Sequence, residues 1–398
     1  MIPNGWKTTH LSELADKISD GLHSTPKYVE ESDFYFINGN NLKNGSIRIF
    51  DNTKRVSEEE YQIHKKDLND RTILMSINGT IGNLACYSGE LVVLGKSAAY
   101  INIKKAVNKE FIFYSLSCHK IQRFFDSELT GTTIRNLSLK SIKATKVDLP
   151  PIKEQHKIAN ILTTWDESID TVEKLIENSL QQKKSLMQQL LTGEKRFPTF
   201  TDRWKKTSIS KMGDIVSGGT PDTSKQDYWG SDILWTTPTD ITSLKTRFID
   251  STSRTISESG LKNSSASLLP KGSVLVCTRA TIGYLAIANE SITTNQGFKS
   301  IVPNEDFDSE FIYYLLSFHR HHLVRHACGS TFLELSKKDF AKLKFDAPKL
   351  EEQKAISKAL AHCDDEIYNL KNQLSQLKQQ KSALMQQLLS GKHRVKLD

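Results

Sequence analysis

The chain has 398 residues, 37% of them hydrophobic, and a formal net charge of +8, which suits two ordinary domains with shared helices. No apolar run nears the roughly 18 residues of a membrane span, Met1 opens no signal-peptide pattern, and the five cysteines Cys86, Cys118, Cys277, Cys328 and Cys363 show no paired spacing, so a reduced, cytoplasmic chain is expected. The charge is spread evenly, with 20 Lys and Arg against 17 Asp and Glu in residues 1–150 and 18 against 15 in residues 203–348, and a pI near 9 permits nucleic-acid binding without marking it.

In chain order, residues 1–148 read as a first globular domain. Short β-rich runs at Thr72 to Ile77 and Leu91 to Leu94, broken by Gly, Asn and Ser, predict a mixed sheet with a helix or two. Gly89 to Ser97 only imitates a phosphate loop, because five residues separate its glycines where that loop needs four. Asp148-Leu149-Pro150-Pro151-Ile152 lacks the aromatic residue that an amino-methyltransferase stacks on a flipped base, so its prolines read as helix-start signals. A long helix is expected within residues 149–193. Its end falls at Gly193, which suits the left-handed residue that stops a helix.

Residues 194–202, with Lys195, Arg196 and Pro198, form a linker, and a second domain spans 203–346. Its landmarks echo the first. Trp204-Lys205 answers Trp6-Lys7, Thr281-Ile282-Gly283 answers Thr80-Ile81-Gly82, and Gly329-Ser330-Thr331 answers Gly131-Thr132-Thr133. A strand is expected at Ser273 to Thr278. A second long helix lies within 347–391 and a tail within 392–398. The hexamer Leu186 to Leu191 returns letter for letter as Leu384 to Leu389, 198 residues later, and a period that long means a tandem duplication rather than a solenoid.

Both long helices carry a seven-residue apolar repeat. In the first, Leu162, Ile169, Ile176 and Leu190 fall at a, and Trp165, Val172 and Leu186 at d; in the second, Leu360, Ile367, Leu374 and Leu388 fall at a, and Cys363, Leu370, Leu377 and Leu384 at d. Lys183 and Lys381 occupy the same a position, where a polar residue fixes register at some cost in stability. A single amphipathic helix per domain is the plainer reading. Yet about four heptads, or about 45 Å at 1.5 Å per residue, exceed what a small domain needs, and an antiparallel pair would give a pseudo-twofold axis. The expected class is therefore mixed α+β: two α/β domains joined by two long helices in an antiparallel coiled coil.

Among other groups, His322 and His326 sit four apart, as zinc ligands can, with His319, His321 and Cys328 nearby. No HExxH glutamate or CxxC pair accompanies them, and Arg320 and Arg325 add positive charge. A solvated basic face is expected there, with no metal. No spacing suggests a catalytic nucleophile.

The duplication, the Pro-x-x-x-Glu-Gln openings at Pro150/Glu154-Gln155 and Pro348/Glu352-Gln353, and the LMQQLL-x-Gly endings make the chain resemble the specificity subunit of a type I restriction-modification system along nearly its whole length. Gly218-Gly219-Thr220-Pro221, Tyr228-Trp229 and Trp235-Thr236-Thr237-Pro238 resemble the opening of a target recognition domain; the first domain has Asp20-Gly21 and Thr25-Pro26 there instead. The resemblance implies a non-catalytic reader of double-stranded DNA, in which each domain reads half of a split sequence and the helices set the gap. It also implies two docked methyltransferase subunits, with restriction subunits as optional further partners. No cofactor would be bound by this chain itself; S-adenosylmethionine, ATP and magnesium would belong to the partners.

Polar side chains beside glycines are the candidate DNA contacts, because backbone can then approach phosphate and Asn, Arg and Lys can read base edges. In the first domain they are Asn38, Asn40, Asn41, Asn78, Thr80, Lys96 and Thr132. In the second they are Thr237, Thr239, Arg279, Thr281, Lys299, Ser330 and Thr331. Two rivals are a helical scaffold whose end domains bind protein, which predicts salt-insensitive DNA binding, and an enzyme with an unrecognised site, which predicts turnover by the chain alone.

Overall fold

The computed structural model describes residues 2–131, 135–328 and 333–397. The chain forms two compact units, each discontinuous in sequence: residues 1–171 with 374–398, and residues 172–373.

In the first unit, strands Ala15–Asp20, Ala98–Ile103, Thr72–Ser76 and Leu84–Cys86 make an antiparallel sheet. Every residue of Thr72–Ser76 and Ala98–Ile103 is buried, which accounts for their nearly continuous apolar sequence. A second sheet joins Val92–Leu94 in parallel to Phe34–Ile37, followed by Arg55–Val56 and Tyr28–Val29. Lys7–His10 pairs with Lys146–Leu149 and so brings the start of the unit beside the entrance to the first long helix.

The second unit repeats the plan. Gly213–Ser217, Lys299–Pro303, Val274–Val276, Leu285–Ala288 and Phe248–Ile249 form one sheet, Arg254–Ile256, Trp229–Thr236 and Ile292–Thr294 another, and Lys205–Ser208 pairs with Lys344–Ala347. Helices Lys109–Ser117 in the first unit and Ser309–Phe318 in the second each begin at a side-chain cap, Asn108 or Asp308, which accepts from the amide three residues on.

The long helices are Ile152–Leu191 and Leu350–Leu389, each of 40 residues and offset by 198. They stop at Gly193 and Gly391, whose φ values of +72° and +66° lie in the left-handed region. Both helices contribute to both units. In the first, Ile158 and Leu162 share a core with Leu388 and Leu389; in the second, Leu190 and Leu191 share one with Ile356 and Leu360. Early positions of one helix meet late positions of the other, so the two helical stretches within each unit run antiparallel. Of the heptad positions, Leu162, Ile169, Val172, Leu190, Leu360, Ile367 and Leu388 are buried, and Trp165, Ile176, Leu186, Leu370, Leu374, Leu377 and Leu384 are half-buried. Leu175 and Leu180, off the heptad seam, are exposed.

Candidate nucleic-acid interface

The helix openings explain the Glu-Gln pair. Gln155 Nε2 donates to the Pro150 carbonyl at 2.8 Å while its Oε1 accepts from the Asn108 amide at 3.0 Å. Gln353 does the same with Pro348 and Asp308, both at 3.0 Å. One side chain thus joins the long helix to the start of the helix packed beside it.

Glu154, 1% exposed, accepts from Arg394 Nε and Nη2 at 2.6 and 2.7 Å and from Trp6 Nε1 at 3.3 Å. Glu352, 2% exposed, accepts from Arg196 at 2.8 and 2.7 Å and from Trp204 Nε1 at 3.2 Å. A carboxylate so enclosed needs this planar, two-pronged partner. The arginines were missed from sequence, although they too lie 198 residues apart.

In the first unit three loops converge. Ser97 Oγ donates to Asn38 Oδ1 and accepts from the Gly39 amide, both at 2.9 Å, and Thr80 Oγ1 donates to the Gly39 carbonyl at 3.3 Å. A backbone bridge between Asn78 and Asn136 adds a fourth segment. Asn40, Thr80 and Lys96 are exposed and Asn38 and Asn78 half-buried. The Asn78 Oδ1 atom is buried without a hydrogen-bond partner among the described residues. Asn41 is turned inward, accepting from the Asn38 amide and donating to the Arg48 carbonyl and Thr53, so its polar groups are already used. Thr132 lies outside the described residues.

The second unit assembles the corresponding loops. The Asn295 amide donates to the Thr236 carbonyl at 3.0 Å, the Thr278 amide to the Gly297 carbonyl at 2.8 Å, and Trp235 Nε1 to the Gly219 carbonyl at 2.9 Å. Thr220 Oγ1 donates to exposed Gln296, the residue that corresponds to Lys96. Gly218 and Gly219 lie against Asn295 and Ser265 so closely that a Cβ would approach them within 2.0–2.3 Å, which is the steric reason for the double glycine.

Thr239 is exposed, and Arg279 and Thr281 are half-buried. Ala280 between them has φ +61°, where its counterpart is Gly79 at +71°. Thr237 is a helix cap held by Asp240 at 2.6 and 2.8 Å; burial pushes the Asp240 carboxyl up, but its hydrogen bonds outweigh this and hold it below the usual range. Lys299 is buried, 3.9 Å from Glu334, and burial holds its pKa down, so it lies inside rather than on the loop surface. Ser330 and Thr331 lie outside the described residues.

Two stacked pairs were missed from sequence. The Arg254 guanidinium lies 3.6 Å from the Trp229 ring and the Arg320 guanidinium 4.1 Å from exposed Tyr284. Strand pairing sets Arg254 opposite Trp235, a long-range register that one sequence does not display.

The family model described as "Type I restriction modification DNA specificity domain" matches residues 3–182 and 201–379. The chain belongs to this specificity-subunit family. A putative type I restriction enzyme MjaX specificity subunit of Methanocaldococcus jannaschii is 26% identical over 99% of the chain and 95% of the relative. The MjaIX specificity subunit of the same organism is 38% identical, over 43% of the chain and 40% of the relative. A type I system S subunit from M. genitalium superposes with a TM-score of 0.63 at 16% identity, covering 100% of this chain and 97% of that one, and so shares the fold. Like the family match, the loop clusters come in two copies. Among the described residues, no helix is long and apolar enough to cross a membrane.

Proposed function

We propose that this specificity subunit is the non-catalytic DNA reader of a type I restriction-modification complex, each loop cluster reading one half of a bipartite target. The observation that supports this most directly is the duplicated convergence of polar loops at Asn38–Asn40, Asn78–Thr80 and Lys96 in one unit and at Thr237–Thr239, Arg279–Thr281 and Gln296 in the other. The exposed side chains of Asn40, Thr80, Lys96, Thr239 and Gln296, with half-buried Asn78 and Arg279 beside them, suit phosphate and base-edge contacts. The side chains differ between units, Asn78 standing where the other has Arg279, which favours unequal half-sites.

In this reading the helices pair as a coiled coil that spaces the half-sites and docks two methyltransferase subunits. A 40-residue helix at 1.5 Å per residue spans about 60 Å, more than the roughly 34 Å of a DNA turn. S-adenosylmethionine, and ATP with magnesium where restriction subunits join, would be bound by those partners and not by this chain. The test is co-expression with the neighbouring methyltransferase subunit and methylation-sensitive sequencing of host DNA. A split, asymmetric methylated sequence is expected. A stable complex that leaves no methylated sequence, together with DNA binding insensitive to salt, would replace the reading with a protein-binding scaffold.

A further inference from the structure

The corner between helices Ser309–Phe318 and Arg320–Arg325 brings three imidazoles together. His319, His321 and His322 each offer a ring nitrogen, and the three atoms lie within 4.8 Å of one another. The ring centroids of His321 and His322 are 4.3 Å apart, and His319 lies 5.4 Å from His322. Nδ1 of His319 is buried and has no hydrogen-bond partner among the described residues, a state that costs free energy unless something accepts or coordinates it.

The neighbouring groups leave the cluster open. Arg320 is turned away, its Nε donating to the Ile282 carbonyl at 3.0 Å and its guanidinium stacked on Tyr284. The cluster comprises His319, His321 and His322 without His326, whose Nδ1 lies 2.8 Å from the His322 carbonyl. The fold therefore assembles a different set from the His322 and His326 pair that helical spacing suggests.

We propose that His319, His321 and His322 bind one divalent first-row transition ion of the zinc class, with water completing the coordination. Three imidazoles suit zinc, cobalt, nickel or copper and not magnesium or calcium. Bonds of about 2.0–2.1 Å in a tetrahedral site require ligand nitrogens closer together than 4.8 Å, a closure within reach of side-chain rotation at exposed His321 and half-buried His322. The site belongs to the second unit alone. Phe311 and Phe111 are counterparts, and the same step of 200 carries the three histidines to His119, Ile121 and Gln122, a single ligand. Both helices reach the unit's core through Leu315, Leu316 and Leu323, so a bound ion would clamp their corner and stabilise the unit by linkage. The positive charge of Arg325 beside His322 opposes a bound cation and so weakens the site.

The test uses the full chain without a histidine tag, stripped with a chelator and titrated with zinc alone against a chromophoric competitor, with cobalt(II) absorption reporting the ligand field. One equivalent is expected to bind and to raise the melting temperature. H321Q, at an exposed position, and H322Q, at a half-buried one, should each weaken binding by at least about tenfold, the scale on which even outer-shell partners of metal ligands register, while H326Q should match the wild type. Failure of the wild type to take up one equivalent, or equal uptake by H321Q, would overturn the assignment.

Discussion

Lys381 donates to Asp166 at 2.5 Å, and a step of 198 residues turns this pair into Lys183 and Asp364, which are bonded in the same way. In each unit a lysine from one long helix meets an aspartate from the other. The aspartate also accepts from a tyrosine, Tyr114 or Tyr314, at 2.7 Å, and the ammonium lies 5.2 or 5.5 Å from that ring. Burial, reinforced by the carboxylate, pushes both phenols up, so they remain donors. We infer from these contacts that the lysines at a positions help to fix the antiparallel register of the helical stretches in each unit.

A double-mutant cycle checks that reading. K381M and D166N should be coupled by about 1 kcal/mol, as expected for members of one hydrogen-bonded network, and K183M with D364N should behave alike. Additive losses in urea unfolding would mean that the pairs are incidental.

Ala280 occupies a left-handed position that its counterpart fills with glycine. A non-glycine residue there carries roughly 1–2 kcal/mol of strain, part of which is offset by the greater unfolded-state entropy of glycine. A280G should raise stability by about 1 kcal/mol. It should also weaken DNA binding if the strain serves to aim Arg279 and Thr281, whereas a variant that is no more stable would show that the turn is relaxed.

His319 predicts a pH dependence. Burial, with the charges of His322 and His321 added, lowers its pKa from 6.5 to about 4, so between those values the unfolded chain binds more protons than the folded one. Stability must then fall as the pH drops from 6.5 toward 4. In the presence of a chelator, H319Q should lack this part of the slope. An identical slope in the wild type and H319Q would assign the acid sensitivity to other groups.

The loops should separate positioning from reading. K96A removes an exposed cation and should weaken binding across sequences, lowering the salt slope by about one. R279A should instead relax specificity in one half-site, at about 1–3 kcal/mol for a lost base contact. Filter binding at several salt concentrations, on target and scrambled duplexes, distinguishes the two outcomes.

The helices were legible because duplication and the heptad period reinforce each other, and glycine marks both stops. Their partners were less so: an apolar stripe says that a face is buried, not that each unit combines the opening of one helix with the final turns of the other. Sheet order was hidden for a similar reason, since nothing local pairs Val92–Leu94 in parallel with Phe34–Ile37. At the candidate interface, residue type alone could not separate surface from scaffold. Asn41 and Thr237 satisfy backbone and cap groups with the same atoms that would read a base, and the Lys299 charge is buried.

Helix length is the last quantity open to experiment, and it bears on the proposed spacing role. Lys174 and Asn372 are 198 residues apart and lie near the middle of their helices. Seven residues inserted at both points preserve the heptad pattern and lengthen each helix by about 10 Å, close to three base pairs at roughly 3.4 Å each. The preferred gap between half-sites should grow by about three base pairs while both half-site sequences stay the same. A complex that methylates at the original spacing would sink the ruler, because helices that only hold the units together would leave the gap to the loops.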